Sequence, residues 1–161
     1  MLVSQILMLK AQGAQGHGQR PGARAASAGP VATIAPDARV TEAAARMADL
    51  GIGALVVSDD GTRPLGILSE RDIVRELGRR GADVLDETVS AIMTARPVTC
   101  RTGEDALSVL ERMTQGRFRH LPVVDEEGRM LGLVSIGDAV SGRLKELAAE
   151  KEALTGMIMG A

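Results

Sequence analysis

The chain has 161 residues, enough for one small module or two very small units. Its 19 basic and 21 acidic residues nearly balance, and Phe118 is its only aromatic residue. The balanced charge argues against nucleic acid and anionic membranes as partners, and the lack of aromatics argues against a surface that stacks single-stranded bases.

The first ten residues, 1–10, predict a short amphipathic helix. They lack the basic start and small-residue cleavage site of a secretory signal, and no apolar run in the chain approaches the ~18 residues that cross a bilayer. Residues 11–30 are rich in Gly, Ala, Gln and Arg without apolar periodicity, which predicts a flexible linker. A single cysteine excludes a disulfide framework within the chain and favours a reducing compartment, the cytoplasm.

Residues 31–82 and 97–146 are two copies of one pattern, related by a shift of 66 residues. The shift superimposes "LGILSERD" (65–72) on "LGLVSIGD" (131–138). Two copies are too few for a solenoid, so they predict a pseudo-symmetric pair that shares one core.

Each copy predicts the element order β-α-β-β-α. A short extended segment, 31–35 or 97–101, comes first and precedes an amphipathic helix. Two Val- and Leu-rich runs then flank an acidic turn with glycine, which is typical of a hairpin, and the second helix begins at the repeated phrase. Because strands and helices alternate, the fold class is α/β.

The ends of the first helix in each copy carry local signals. Asp37 and Thr102 are the candidate N-caps, and Gly51 and Gly116 follow the apolar periodicity as candidate ends. They predict helices of similar length at matching positions of the two copies.

Residues 83–96 connect the copies, and residues 147–161 extend the chain after the second. The end of the chain is apolar at helical spacing, and this helix either packs on its own module or pairs with a second copy. The residues that define the apolar spacing are Leu144, Leu147, Ala148, Leu154 and Ile158.

The Ser-x-x-Asp of the repeated phrase allows two interpretations. At the start of a helix it predicts a capping box, in which each side chain bonds the other residue's backbone N–H. The phrase also recurs in register with a glycine three residues before each serine, and a glycine lets another group approach the backbone. A hydroxyl beside a carboxylate suits a vicinal diol such as ribose. The two interpretations are compatible.

With "GIGALVVSDDG" and "RFRHLPVVDEEG" before the repeated phrases, residues 31–146 resemble tandem cystathionine β-synthase (CBS) domains, the Bateman module. The "SQIL" start and the "SAIMT" connector are similar to small stand-alone bacterial members. The resemblance implies two repeats packed through their sheets into one module, and a homodimer formed through helices. It also implies a regulatory role without catalysis, with AMP, ADP, ATP, NAD(H) or S-adenosylmethionine as ligand and an unidentified protein as the regulated partner.

The resemblance assigns three sets of site residues. Ser69 and Asp72 hold ribose in one cleft, and Ser135 and Asp138 hold it in the other. Adenine lies between aliphatic residues and is recognised by main-chain groups of two sets, Thr33, Ile34, Ala35, Gly53, Ala54 and Leu55 for the first cleft and Thr99, Cys100, Arg101, His120, Leu121 and Pro122 for the second.

The candidate phosphate ligands are Arg119 and His120, with Arg117 and Arg71 as further cations. Arg117 and Arg119 also fit a solvated edge, and Arg71 also fits an ion pair with Glu70 or Glu42. The first copy has "GIGAL" where the second has "GRFRH", so we expect two unequal clefts.

No zinc-ligand spacing, Walker loop or serine–histidine–aspartate arrangement is present, and we expect neither an enzyme nor a metal site. The alternative function is a structural or protein-interaction module that binds no nucleotide.

Overall fold

The computed structural model describes residues 1–16 and 31–160. Helices and strands alternate along the chain, which confirms the α/β class. The helices are α1 Val3–Gly16, α2 Val40–Leu50, α3 Glu70–Arg80, α4 Val89–Ile92, α5 Ala106–Gly116 and α6 Ile136–Met159, with a 3-10 turn at Ala82–Asp86. The strands are β1 Thr33–Ile34, β2 Ala54–Val57, β3 Gly66–Ser69, β4 Thr94–Ala95, β5 His120–Val124 and β6 Met130–Ser135.

The two repeats build related sheets. In the first, the strand order is β1-β2-β3-β4; β1 runs parallel to β2, and the other pairs are antiparallel. In the second, β5 and β6 form an antiparallel pair, and a parallel bridge from Cys100 to Val123 takes the place of the β1–β2 pairing. Both predicted hairpins are therefore present.

The buried apolar side chains form two clusters, one in each repeat, rather than the single shared core that the repeat predicted. Each cluster fills the space between a sheet and its helices. In the first repeat, Ala54, Val56 and Ile67 alternate along β2 and β3 with residues of the buried cluster, so they lie on the opposite face of the four-stranded sheet. These three side chains are buried as well. Thus both faces of this sheet are covered.

Polar contacts also join the repeats. The backbone N–H of Met130 donates to the carbonyl of Thr62 at 2.8 Å, and the Arg63 guanidinium donates to the carbonyl of Glu127 at 2.6 Å. The repeats pack through their sheets into one module.

The start of α2 depends on the connector. Asp37 is not its N-cap, and the prediction is wrong; Arg39 takes that position and makes no side-chain cap bond. The N–H of Val40 donates instead to the carbonyl of Glu87 at 3.0 Å. Gly51 ends the helix with φ at 65°, as predicted, in the left-handed region that suits glycine.

The N-cap of helix α5 lies three residues later than predicted, and its C-cap one residue later. Asp105, not Thr102, is the N-cap, and its carboxylate accepts the N–H of Ser108 at 2.8 Å. Gly116 is the last helical residue, and the left-handed residue after it is Arg117 with φ at 56°. Phe118 folds back over Gly116, whose missing side chain leaves room for the ring.

The N-terminal segment completes the second repeat as the connector completes the first. Residues 2–7, "LVSQIL", and 88–93, "TVSAIM", occupy matching places: Val3 and Val89 are both fully buried. The carbonyl of Met1 accepts the N–H of Ala106 at 2.9 Å, as the carbonyl of Glu87 does for α2. The first turn of α1 is therefore the counterpart of α4.

Two predicted boundaries fall inside helices. Helix α1 continues to Gly16, past the end predicted at residue 10 and into the segment predicted as linker; residues 17–30 of that linker lie outside the described part of the chain. Helix α6 runs without a break through the predicted boundary at 146–147. Among the described residues, no helix has the length and apolar character needed to cross a membrane.

Candidate functional site

Both Ser-x-x-Asp pairs form capping boxes. At the start of α3, the N–H of Asp72 donates to the Ser69 hydroxyl at 3.2 Å and the N–H of Ser69 donates to the Asp72 carboxylate at 2.9 Å. At the start of α6, the corresponding distances between Ser135 and Asp138 are 3.1 and 2.9 Å. The local interpretation is confirmed, and it places a hydroxyl and a carboxylate side by side at the same point of each repeat.

The glycine of the repeated phrase accommodates packing within the chain. A Cβ on Gly66 would lie 2.6 Å from Sδ of Met93, and one on Gly132 would lie 2.6 Å from Cδ2 of Leu7. The group that approaches the backbone is therefore a side chain of the connector or of α1. The glycine does not provide evidence for a ligand.

Each carboxylate has a cationic partner, and the two partners come from different elements. In the first repeat, Arg75 of the same helix donates to Oδ1 of Asp72 at 2.8 Å. In the second, Lys10 of α1 donates to Oδ2 of Asp138 at 2.8 Å and to the carbonyl of Leu133 at 2.7 Å. Burial alone would raise the pKa of Asp138, but the hydrogen bonds from Lys10 and the Ser135 N–H outweigh it and lower that pKa below its usual value.

His120 lies beside the second pair. It faces Ser135 across the β5–β6 ladder, and the carbonyl of its neighbour Arg119 accepts the N–H of Ile136 at 2.8 Å. Burial lowers the pKa of His120, and the ammonium of Lys10 lowers it further, against the opposing effects of the Asp138 and Glu70 carboxylates. The imidazole is therefore held in its neutral form to a lower pH than a free histidine.

The matching place in the first repeat is acidic. Ala54 faces Ser69 across the β2–β3 ladder, and the carbonyl of Gly53 accepts the N–H of Glu70 at 2.9 Å. The Glu70 carboxylate lies against Gly53, so that a Cβ there would be 3.2 Å from Oε1. A hollow of about 480 Å³ between α2 and α3 borders these two residues. The first cleft thus has a carboxylate where the second has a histidine and an arginine.

The predicted adenine residues divide into two groups by their orientation. Leu55, Leu121 and Cys100 have at most 1% of their surface exposed and belong to the hydrophobic clusters, so their side chains do not face a cleft. Ile34 is partly buried and also packs against the cluster of the first repeat. The remaining members are partly buried, buried outside the clusters, or exposed: Thr33, Ala35, Gly53, Ala54, Thr99, Arg101, His120 and Pro122.

Main-chain bonding distinguishes residues within the extended segments. The carbonyl of Ile34 accepts the N–H of Ser58 at 3.0 Å, while Cys100 donates to Pro122 and accepts from Val124, both at 2.9 Å. These groups are committed to the sheets. Since neighbouring residues in a strand point their N–H and C=O groups in opposite directions, Thr33 directs its own groups away from β2.

Only some of the predicted phosphate ligands lie close to one another. Arg119 is exposed and directly precedes His120, whose pKa its charge lowers slightly. Arg117 lies at the end of α5, two residues before Arg119. Arg71 is exposed in the first turn of α3 and forms no ion pair with any described residue, so the alternative pairing with Glu70 or Glu42 is absent.

Sequence reasoning missed Lys10. The signal was the echo of 2–7 in 88–93, which shows that the N-terminal segment belongs structurally to the second repeat. Once that segment packs against β6, a lysine one turn beyond Ile6 reaches the Ser135–Asp138 pair.

The described residues form neither a metal-binding cluster nor a reactive thiol. Among residues 1–16 and 31–160, no cluster of three or more His, Cys, Asp or Glu side chains is placed to bind a metal ion. Burial, with a smaller contribution from Glu104, raises the pKa of the Cys100 thiol to about 11. A thiol in this state is a poor nucleophile at neutral pH.

Comparisons with known proteins agree on one family. The family model described as "CBS domain" matches residues 26–79 and 89–144. The CBS domain-containing protein CBSCBSPB1 of Arabidopsis thaliana is 32% identical over 132 residues, 80% of this chain and 24% of that protein. This chain therefore spans about a quarter of the length of the curated relatives it first matches.

Solved structures are similar over nearly their full length. A CBS-domain containing protein from Agrobacterium tumefaciens is 37% identical, with a TM-score of 0.72, and the match covers 89% of this chain and 99% of that one. A CBS domain protein from Pyrobaculum aerophilum, solved in complex with AMP, is 25% identical with a TM-score of 0.64, covering 86% of this chain and 89% of that one.

Proposed function

Because the chain belongs to the CBS domain family, we propose that it is a non-catalytic regulatory module that binds adenine nucleotides (AMP, ADP, ATP or NAD(H)) in two unequal clefts. The observation that carries the proposal is the pair of serine–aspartate boxes at matching helix starts, each with a carboxylate that can accept hydrogen bonds from ribose. The AMP complex of the Pyrobaculum aerophilum protein supports this class of ligand.

Charge favours the second cleft for phosphates. Lys10 pairs with Asp138, and Arg119 adds a guanidinium next to His120, whereas Glu70 lies against Gly53 beside the first box. Glu70 is also near enough to His120 to oppose the lowering of its pKa, but the second cleft has the two cations. A nucleotide phosphate is repelled by a carboxylate and attracted by an ammonium or guanidinium at the same distance. In the second cleft we assign phosphate binding to Arg119 and His120, with a smaller role for Arg117. In the first cleft, where we expect weaker phosphate binding, we assign it to Arg71.

The adenine ring would lie between aliphatic side chains, since the described residues offer no aromatic other than Phe118, which folds over Gly116. In the first cleft we assign the base to the main-chain N–H and C=O of Thr33, which point away from β2. In the second cleft we assign it to the N–H of Thr99, since the carbonyl of Thr99 accepts from the Arg112 guanidinium at 2.8 Å. Hydrogen bonds to a base edge give specificity that apolar contact alone does not.

Regulation would proceed through the contacts between the repeats. A ligand that binds one arrangement of the repeats more tightly shifts the population towards it, and a partner protein that recognises that arrangement responds. The bonds from Met130 to Thr62 and from Arg63 to Glu127 are the polar contacts that such a change would alter.

We also propose that the module acts as a homodimer in the cytoplasm. Val140, Leu144, Leu147, Leu154 and Ile158 follow one another along α6 at steps of four, three, seven and four residues, which places them on one face of the helix, and each is 42–79% exposed. Among residues 1–16 and 31–160, none covers this face of α6. Light scattering after size exclusion should give twice the chain mass, and Leu147→Asp should shift it towards the monomer, while Glu152→Lys on the same helix should not.

A panel of adenine nucleotides tests the proposal. We expect AMP, ADP, ATP or NADH to raise the melting temperature of the full chain in a concentration-dependent way, because a ligand that binds only the folded state stabilises it by mass action. Calorimetric titration should resolve two sites of different affinity. A well-folded protein that binds none of these ligands at millimolar concentration would be a structural or protein-interaction module instead.

A further inference from the structure

Lys10 makes two hydrogen bonds that direct it into the second cleft. Its Nζ donates to Oδ2 of Asp138 at 2.8 Å and to the carbonyl of Leu133 at 2.7 Å. An ammonium group has three donors, so one N–H remains unengaged by the described residues. The side chain is 44% exposed, which leaves that donor open to a ligand.

The helix that carries Lys10 is firmly anchored. Val3 and Ile6 have 0% and 3% of their surface exposed, and residue 10 follows them at helical spacing on the same face of α1. The N–H of Val3 also donates to the carbonyl of Glu104 at 2.8 Å. Lys10 is thus held in place before any ligand arrives.

The two carboxylates differ in the acceptor positions they leave open. Oδ2 of Asp138 accepts from both Lys10 and Ser135, while Oδ1 accepts from none of the described residues. In the first cleft, Arg75 occupies Oδ1 of Asp72 and Ser69 occupies Oδ2. Within the described part of the chain, a carboxylate oxygen without a hydrogen bond and an ammonium with an unengaged N–H therefore lie next to each other only in the second cleft.

We propose that Lys10 is a ribose-binding residue of the second cleft that selects ligands with two free hydroxyls. One ribose hydroxyl donates to Oδ1 of Asp138, and the oxygen of the adjacent hydroxyl accepts from Lys10. The positive charge also offsets the Asp138 carboxylate, which lowers the repulsion between that carboxylate and a ligand phosphate. This inference rests on the proposed nucleotide-binding function.

The test compares AMP with its 2′-deoxy and 3′-deoxy analogues by calorimetric titration of the full chain. Wild type should bind AMP about tenfold more tightly than at least one analogue at the second cleft, since a hydrogen bond to a charged group contributes that much. Lys10→Met should weaken AMP binding there about tenfold and remove most of the discrimination. The Asp72→Ala variant identifies which of the two binding events belongs to the second cleft.

Lys145→Met is the matched control. Lys145 and Lys10 both border a hollow between α1 and α6, but Lys145 forms no hydrogen bond or ion pair with Asp138 or any other described residue. This variant should therefore bind all three ligands as wild type does. Melting of each variant without ligand shows whether it is folded.

The outcomes separate the two proposals. If wild type binds no adenine nucleotide, the proposed function fails and this inference with it. If wild type binds AMP but Lys10→Met keeps both its affinity and its discrimination, the inference alone is overturned. Tighter AMP binding by Lys10→Met would also overturn it, because Lys10 would then be blocking the cleft.

Discussion

Replacing Asp138 by Asn separates the helix-capping role of this residue from its role in the cleft. The Asn side-chain oxygen can still accept the N–H of Ser135, so the cap at the start of α6 is retained. The ion pair with Lys10 is lost, together with a charged acceptor for ribose. We therefore expect a small change in the stability of the free protein and a large change in ligand binding.

The magnitudes follow from exposure and chain length. The ion pair is 44% and 22% exposed, which limits its contribution to about 1 kcal/mol or less. For 161 residues the entropy of unfolding is about 0.34 kcal/mol/K, so the melting temperature should fall by ~3 °C at most. Loss of hydrogen bonds to a charged carboxylate should weaken ligand binding at this cleft roughly 10- to 100-fold.

Differential scanning calorimetry is a suitable assay because the chain has no Trp or Tyr. At AMP about 100 times the wild-type dissociation constant, the second cleft should stabilise wild type by ~2.7 kcal/mol, or about 8 °C. At the same concentration a 30-fold weaker variant gains about 0.9 kcal/mol, or ~3 °C.

Asp105→Asn provides the control for the cap. Its carboxylate caps α5 through the N–H of Ser108 and lies in neither serine–aspartate box. This variant should keep the full ligand-induced shift. If Asp138→Asn shows the same ligand-induced shift as Asp105→Asn, then Asp138 is a helix cap and not a ribose ligand.

Three further predictions concern stability and reactivity. Burial lowers the pKa of His120 below 6.5, so the stability that this residue confers is complete above pH 6.5 and is lost as the pH falls through the folded-state pKa. In urea unfolding between about pH 7.5 and pH 5, His120→Gln should therefore lose less stability than wild type. An equal loss would contradict this. The Cys100 thiol, with a pKa of about 11, should react with a thiol reagent far more slowly in the folded protein than in urea, and fast native labelling would argue against its burial. Val3→Ala and Val89→Ala should each lower the free energy of unfolding by about 1–3 kcal/mol, because both side chains are fully buried at matching positions; a neutral Val3→Ala would show that the N-terminal segment is not part of the second core.

Features that depend on neighbours along the chain could be read from the sequence. Ser69 and Asp72 are three residues apart, and a capping box needs only that spacing at the start of a helix. The 66-residue register in turn predicts the same box at Ser135 and Asp138. The inequality of the clefts was also visible, because one copy has Arg119 beside its box where the other has Gly53.

Features that depend on distant partners required the tertiary structure. The N-cap of α2 could not be identified from local signals, because the bond that starts the helix comes from the carbonyl of Glu87 in the connector. The glycine of the repeated phrase suggested room for a ligand, yet Met93 and Leu7 take that room.

Lys10 shows most directly why such features required the tertiary structure. Its partner Asp138 is 128 residues away, and nothing in the composition of the first ten residues indicates an ion pair with it. The pairing arises because Val3 and Ile6 bury themselves in the second repeat and set the direction of α1. The sequence by itself determined the repeats and their serine–aspartate boxes, since those rest on local spacing; packing decided which cation completes each box, since that depends on where the chain brings a distant helix.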